Sequence, residues 1–422
     1  ALIVVPFGQP SIAWFSSIAF LAIVILWRIG VWYRPQIVTR KSAAIERHPD
    51  HPDSRRVKIA LAVLVALLFS KQLYVSSLSS YYIFYLIDKF GVTSFKIFMF
   101  YGGYGLHGAS SSQHEFLMIG KDEKYDIAHF EFVMRGVQRA MQRHPGKKAA
   151  ISLSLHCELA EILAAYTKMV EGGARQTDLD TWLTGVSNDP ECADCAPLAG
   201  LRAYSAARPP HSEGLAITIA SYLANETNCA NINLLHLTSR KAVEAALTMA
   251  KAFPHVNFRR EVTIAHLCLD YDTPVKALAK VNPPIRSRDD VEFLWKALLD
   301  GKLDWVCSDH ACCRYEMKLG KEDKSDIFQA KSGFGGTEFM LAALITAGKP
   351  RGLSYNRMAE LLAYNAAERF GLKGKGDIAP GLDADLVLVD PDKSFVASGK
   401  LSESQQGYSV FEGMEMSATV TD

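Results

Sequence analysis

Apolar and polar positions divide this chain into two stretches of different character. From Pro10 to Tyr33 the only charge is Arg28, and Trp27, Trp32 and Tyr33 gather at one end. Such a run is long enough for a membrane-spanning helix with an interfacial aromatic belt. A polar stretch follows, in which Arg34, Arg40, Lys41, Arg47, Arg55, Arg56 and Lys58 outnumber Glu46, Asp50 and Asp53. Residues 59–87 form a second apolar run, interrupted by Lys71 and Gln72. The pattern predicts two membrane helices with the basic loop on the cytoplasmic side. The competing reading is a pair of buried helices in a soluble protein.

From Ser94 onward the pattern changes. Ser94–Met99, Ala149–Leu155, Asn231–Leu235 and Leu303–Cys307 read as strands, Val256–Leu267 holds another, and Glu158–Val170 and Arg240–Phe253 read as helices. Strand–helix alternation implies an α/β fold with a parallel sheet or barrel. Lys96, His156, His236 and Asp309 each lie in or just past an apolar run. In a (β/α)₈ barrel the C-terminal strand ends build the active site. Nitrogen and carboxylate groups converging there suit a borderline cation such as zinc. One histidine after a strand is ordinarily structural; two, with an aspartate in equivalent places, reinforce one another.

Composition narrows the picture only slightly. A net charge of +1 gives no case for nucleic acid or for an acidic partner. The eight cysteines are scattered through a long chain, which points to a reducing compartment rather than a disulfide framework. Cys192-Ala-Asp-Cys195 is a lone CxxC without the second pair a structural zinc site needs.

The strings GVTSFKIFMFYGG, LHCE, ARPPHSEGLAI, NLLHLTS, EVTIAHL, VNPPIRS, DWVCSDHA and RFGLKGKGDIAPGLDADLVLVDP occur in this order. Together they make residues 94–422 resemble the cyclic amidohydrolases: dihydroorotases, hydantoinases (dihydropyrimidinases) and allantoinases. The resemblance implies a partial TIM barrel (strands four to eight) over 93–375 and a C-terminal β-segment over 376–422. It also implies roles. Lys96 matches a carboxylated lysine whose carbamate bridges two metals. His156 and His236 match the histidines of the second metal. Asp309 matches the aspartate that binds the first metal and serves as general base and acid. Tyr101 matches a tyrosine that polarises the substrate and stabilises the oxyanion. Asn282, in NPPIR, matches a substrate contact, and asparagine there leans toward dihydroorotase; Asn-Pro-Pro also reads simply as a turn.

Two departures qualify this resemblance. Relatives open the metal site with a His-x-His pair, and none of the twelve histidines here forms one. His48-Pro-Asp-His51 has the wrong spacing. The arginine that follows the pair in dihydroorotases is absent with it. Residues 1–92 instead resemble two helices and a central loop of a major facilitator superfamily transporter, of the fosmidomycin-resistance branch, so the chain reads as chimeric. The chain is also expected to stop, at Ser417–Asp422, before a further strand of the relatives.

The expected function is therefore a zinc-dependent hydrolase opening a small cyclic amide, impaired by the missing pair. The alternatives are a transporter fragment and a non-catalytic assembly partner. The hydrolase part is expected in the cytoplasm, with membrane association through residues 10–33 and 59–87. Open sheet edges further predict association with other copies of the chain.

Overall fold

The computed structural model describes residue 28 and residues 91–99, 127–173, 198–319 and 326–421. The chain divides into two units, Ala1–Val92 and Thr93–Asp422. All described residues except Arg28, Gly91 and Val92 belong to the second. The membrane and transporter expectations for 10–33 and 59–87 fall outside the described residues, as do Tyr101, Cys192 and Cys195. Among the described residues no helix is long and apolar enough to cross a membrane.

Five strands form one sheet in the order β1-β2-β3-β4-β5: β1 Ser94–Phe98, β2 Ser152–His156, β3 Asn231–Leu234, β4 Asn257–Thr263 and β5 Trp305–Cys307. Every neighbouring pair is parallel. The connections carry α1 (Ile127–Arg143), α2 (Ala160–Glu171), α3 (Gly200–Ala207), α4 (Pro210–Thr227), α5 (Arg240–Ala252), α6 (Ile264–Cys268) and α7 (Arg288–Leu299). Beyond β5 follow α8 (Met340–Gly348) and α9 (Asn365–Phe370). An antiparallel pair closes the described chain, β6 (Leu388–Val396) with β7 (Glu415–Thr421).

The helices form where their sequences repeat an apolar face. In α1, Phe130, Met134, Val137, Ala140 and Met141 recur at helical spacing and are buried. Ser239 caps α5 by accepting from the Ala242 amide, and Ser287 caps α7 by accepting from the Asp290 amide. The strand expected within Val256–Leu267 is β4, Asn257–Thr263. Thr263 Oγ1 accepts the His266 amide hydrogen and turns the chain into α6.

Alternation along the strands sets the two faces of the sheet. Leu153, Leu155, Ile232 and Leu234 are fully buried on one face. The other face is polar. Register pairs Ser94 with Ser152, Lys96 with Ser154, and Phe98 with His156. It then pairs Ser154 with Asn233 and Asn233 with Arg259. Asn233 Nδ2 donates to Ser152 Oγ and Ser154 Oγ at 3.2 and 3.0 Å. Arg369, from α9, closes the N-terminal end of this layer. Its guanidinium donates to Asn233 Oδ1 (2.6 Å), Asn231 Oδ1 (3.2 Å) and the Asn257 carbonyl (3.1 Å).

His266 is a structural histidine. Its Nε2 donates to the Pro283 carbonyl at 3.1 Å, so Nδ1 accepts from Thr263 Oγ1 at 2.7 Å. Burial pushes its pKa down to about 4.

Two outcomes are expected. Arg369→Met strands two buried acceptors and one part-buried one and should lower stability by about 2–3 kcal/mol, read from urea midpoints. Arg369→Lys should recover little of it, lacking the planar fork. For His266, the unfolded chain binds the proton first, because its imidazole titrates near 6.5. The stabilisation from a neutral His266 is complete above that pH and drains by about 3 kcal/mol on descent to pH 4. His266→Gln should flatten that part of the stability–pH curve.

Candidate active site

Four of the sequence-predicted residues meet at the C-terminal ends of the strands. Lys96 points from the polar face of β1, and His156 is the last residue of β2. His236 and Asp309 each lie two residues beyond β3 and β5. The Lys96 Nζ stands 3.7 Å from Asp309 Oδ1 and 4.8 Å from the Phe98 ring centroid. The His156 and His236 rings meet edge-on at 4.4 Å between centroids, and Phe98 stacks on His156 at 5.0 Å. The two imidazoles are buried, whereas Lys96 and Asp309 are open to solvent. The cluster thus has a buried, nitrogen-bearing side and a solvent-exposed, charged one.

Backbone conformation singles out two of these residues. His236 (φ 35°) and Asp309 (φ 45°) are among five described non-glycine residues at positive φ. That region costs a residue with a Cβ about 1 kcal/mol or more and recurs where function fixes a side chain. Glu261 holds the first of them: the His236 amide donates to its Oε1 at 3.1 Å, and Trp305 Nε1 donates to its Oε2 at 2.7 Å.

The two histidines differ in what their rings touch. His156 Nε2 lies 2.6 Å from Glu158 Oε2. Although burial opposes ionisation, the Arg208 guanidinium and the His156 hydrogen bond bring the Glu158 carboxyl down to about 2. A carboxylate only accepts, so the proton is on His156 Nε2 and the ring lone pair is on Nδ1. Both ring nitrogens of His236, in contrast, are buried and have no hydrogen-bond partner among the described residues. Burial, and then the neighbouring His156 and Lys96, hold its pKa well below the ordinary value. A neutral imidazole with unmatched nitrogens in a dry site is unfavourable unless something coordinates it.

A metal fits this arrangement in part. Among the described residues no three His, Cys, Asp or Glu side chains gather as a ligand set. The two imidazoles become three donors only if Lys96 contributes oxygen as a carbamate, since an ammonium repels a cation. This suffices for one cation. A second would have only the carbamate and Asp309.

Asn282 sits apart, in a hydrogen-bonded knot. Its Oδ1 accepts from Tyr204 Oη at 2.5 Å and from Ser332 Oγ at 3.2 Å. Glu158, Arg208 and Glu261 were not anticipated from the sequence. Glu158 was available in LHCE, two residues past His156, and Arg208 in ARPPHSE, but nothing in those strings announces that they pair.

The amidohydrolase family model matches residues 143–422. An allantoinase from Rubrobacter xylanophilus is 40% identical over 199 residues, which are 46% of this chain and 42% of that protein. An allantoinase from Salmonella gallinarum is 34% identical over 219 residues, 52% and 47% of the two chains. The chain therefore spans less than half the length of these curated relatives. Among solved structures, dihydropyrimidinase from Brevibacillus agri superposes with a TM-score of 0.61 at 22% identity, covering 80% of this chain and 63% of that one. L-Hydantoinase from Arthrobacter aurescens gives 0.61 at 23%, covering 77% and 62%. These last two likenesses are of fold alone. The fold and the site face agree with a family match that spans most of the sequence: the chain belongs to the amidohydrolase family.

Proposed function

We propose that the chain is a metal-dependent hydrolase that opens a small cyclic amide. The observation that carries this reading is the pair of buried imidazoles, one with both nitrogens unmatched, beside Lys96 and Asp309 at the strand ends. His156, through Nδ1, and His236 would hold a divalent cation such as zinc together with Lys96 as its carbamate. A cation there supplies Lewis acidity for the ring carbonyl and a more acidic water. Asp309 would hold the proton given up by the attacking water and pass it to the ring nitrogen as the C–N bond breaks. Water thus adds across the amide, giving a carboxylate and a freed nitrogen. Tyr101 would support the developing oxyanion.

The sequence leaned toward dihydroorotate through Asn282. We place a ureide ring of the allantoin or hydantoin kind ahead of it. The curated relatives are allantoinases. The Asn282 oxygen is already engaged by Tyr204 and Ser332. A second reading, a non-catalytic assembly partner, is favoured by one observation: no His-x-His pair occurs in the sequence.

Metal analysis and ring-opening assays separate the two. The hydrolase reading expects about one tightly held zinc per chain and slow opening of allantoin or hydantoin. Asp309→Asn should then cut turnover about 100-fold. Replacing residues 1–93 by a relative's segment with His-x-His should raise the rate. A metal-free chain that leaves allantoin, hydantoin, dihydrouracil and dihydroorotate intact, even with that segment restored, sinks the proposal.

A further inference from the structure

The string Ala207–Glu213 (ARPPHSE) carries the family resemblance, yet none of its residues has a place in the chemistry above. It joins α3 to α4 beneath the strand ends, and its side chains reach both of them. Arg208 donates to both oxygens of Glu158, Nε to Oε1 at 2.9 Å and Nη2 to Oε2 at 2.5 Å. Ser212 Oγ accepts from the Leu159 amide at 2.8 Å. Glu213 accepts from the amide and the hydroxyl of Thr238, two residues past His236. Arg286 joins the two halves: it donates to Glu213 Oε1 and to the Arg208 carbonyl, each at 2.5 Å. Glu158, Arg208, Glu213, Thr238 and Arg286 are at most 2% exposed. They are therefore fixed partners rather than a solvated surface pair whose geometry averages out.

We propose that Arg208 is a positioning residue that, by gripping Glu158 with both arms of its guanidinium, fixes the tautomer and ring plane of His156. The inference rests on the hydrolase reading for its purpose, though not for its geometry. A carboxylate held at both oxygens by a planar fork cannot rotate. Its Oε2 therefore meets His156 Nε2 from one direction only, and the lone pair stays on Nδ1. A partner behind a ligating histidine is how proteins set imidazole orientation and basicity. A lysine in place of Arg208 supplies the charge but not the fork, so the carboxylate and the imidazole can turn together.

The test uses the full chain with ¹⁵N-labelled histidine. In the metal-free protein, the His156 signal should report protonation at Nε2 with a slowly exchanging proton. In Arg208→Lys that proton should exchange freely, and both tautomers should appear. Cobalt(II), titrated as a visible-spectrum probe, should bind about tenfold or more weakly to the variant. Glu158→Gln, which keeps an acceptor oxygen, should fall between the two. If Arg208→Lys does not fold, the double variant Arg208→Met/Glu158→Gln removes both charges and is read the same way. A folded variant of either kind with an unchanged His156 proton overturns the proposal. If wild type shows the ordered proton, the variant loses it, and wild type takes up no cobalt, the positioning role stands and the hydrolase reading falls.

Discussion

Glu158 is a fully buried carboxylate, and the region around the candidate site is arranged to keep it charged. Taking an ion out of water is expensive unless a partner of opposite charge and several hydrogen bonds receive it. Arg208 and His156 together satisfy Glu158, and Arg286 pairs with one oxygen of Glu213 one loop away. The consequence is geometric more than energetic. Buried, hydrogen-bonded side chains tie the end of β2, the loop after β3 and the turn between α3 and α4 into one frame. His156 and His236 inherit their separation from it.

The polar inner face of the sheet has a related logic. Leucines on β2 and β3 face outward against the helices, while serines, asparagines and Arg369 fill the inside. A polar layer built of hydrogen bonds has directional preferences that an aliphatic layer lacks. It therefore holds strand register, and register decides whether Lys96 and His156 arrive on the same side. Arg369 at one end and the Glu158–Arg208 pair at the other bracket the layer.

Much of this was legible in the sequence. Four of the five strands lie on short apolar runs that contain or lead to Lys96, His156, His236 and Asp309, and alternation in Ser152-Leu-Ser-Leu-His156 already separates a polar face from an apolar one. Legibility failed where the deciding contact is distant. Arg208 and Glu158 are 50 positions apart, and Arg369 reaches back 136 to Asn233. No periodicity encodes such pairs; only the closing of the sheet brings them together.

His236 and Asp309 sit in a backbone region where glycine folds with less strain. Among residues with a Cβ, asparagine, aspartate and histidine enter that region most readily. A β-branched residue at either place would therefore take a polar side chain from the strand ends and load the backbone at the same stroke.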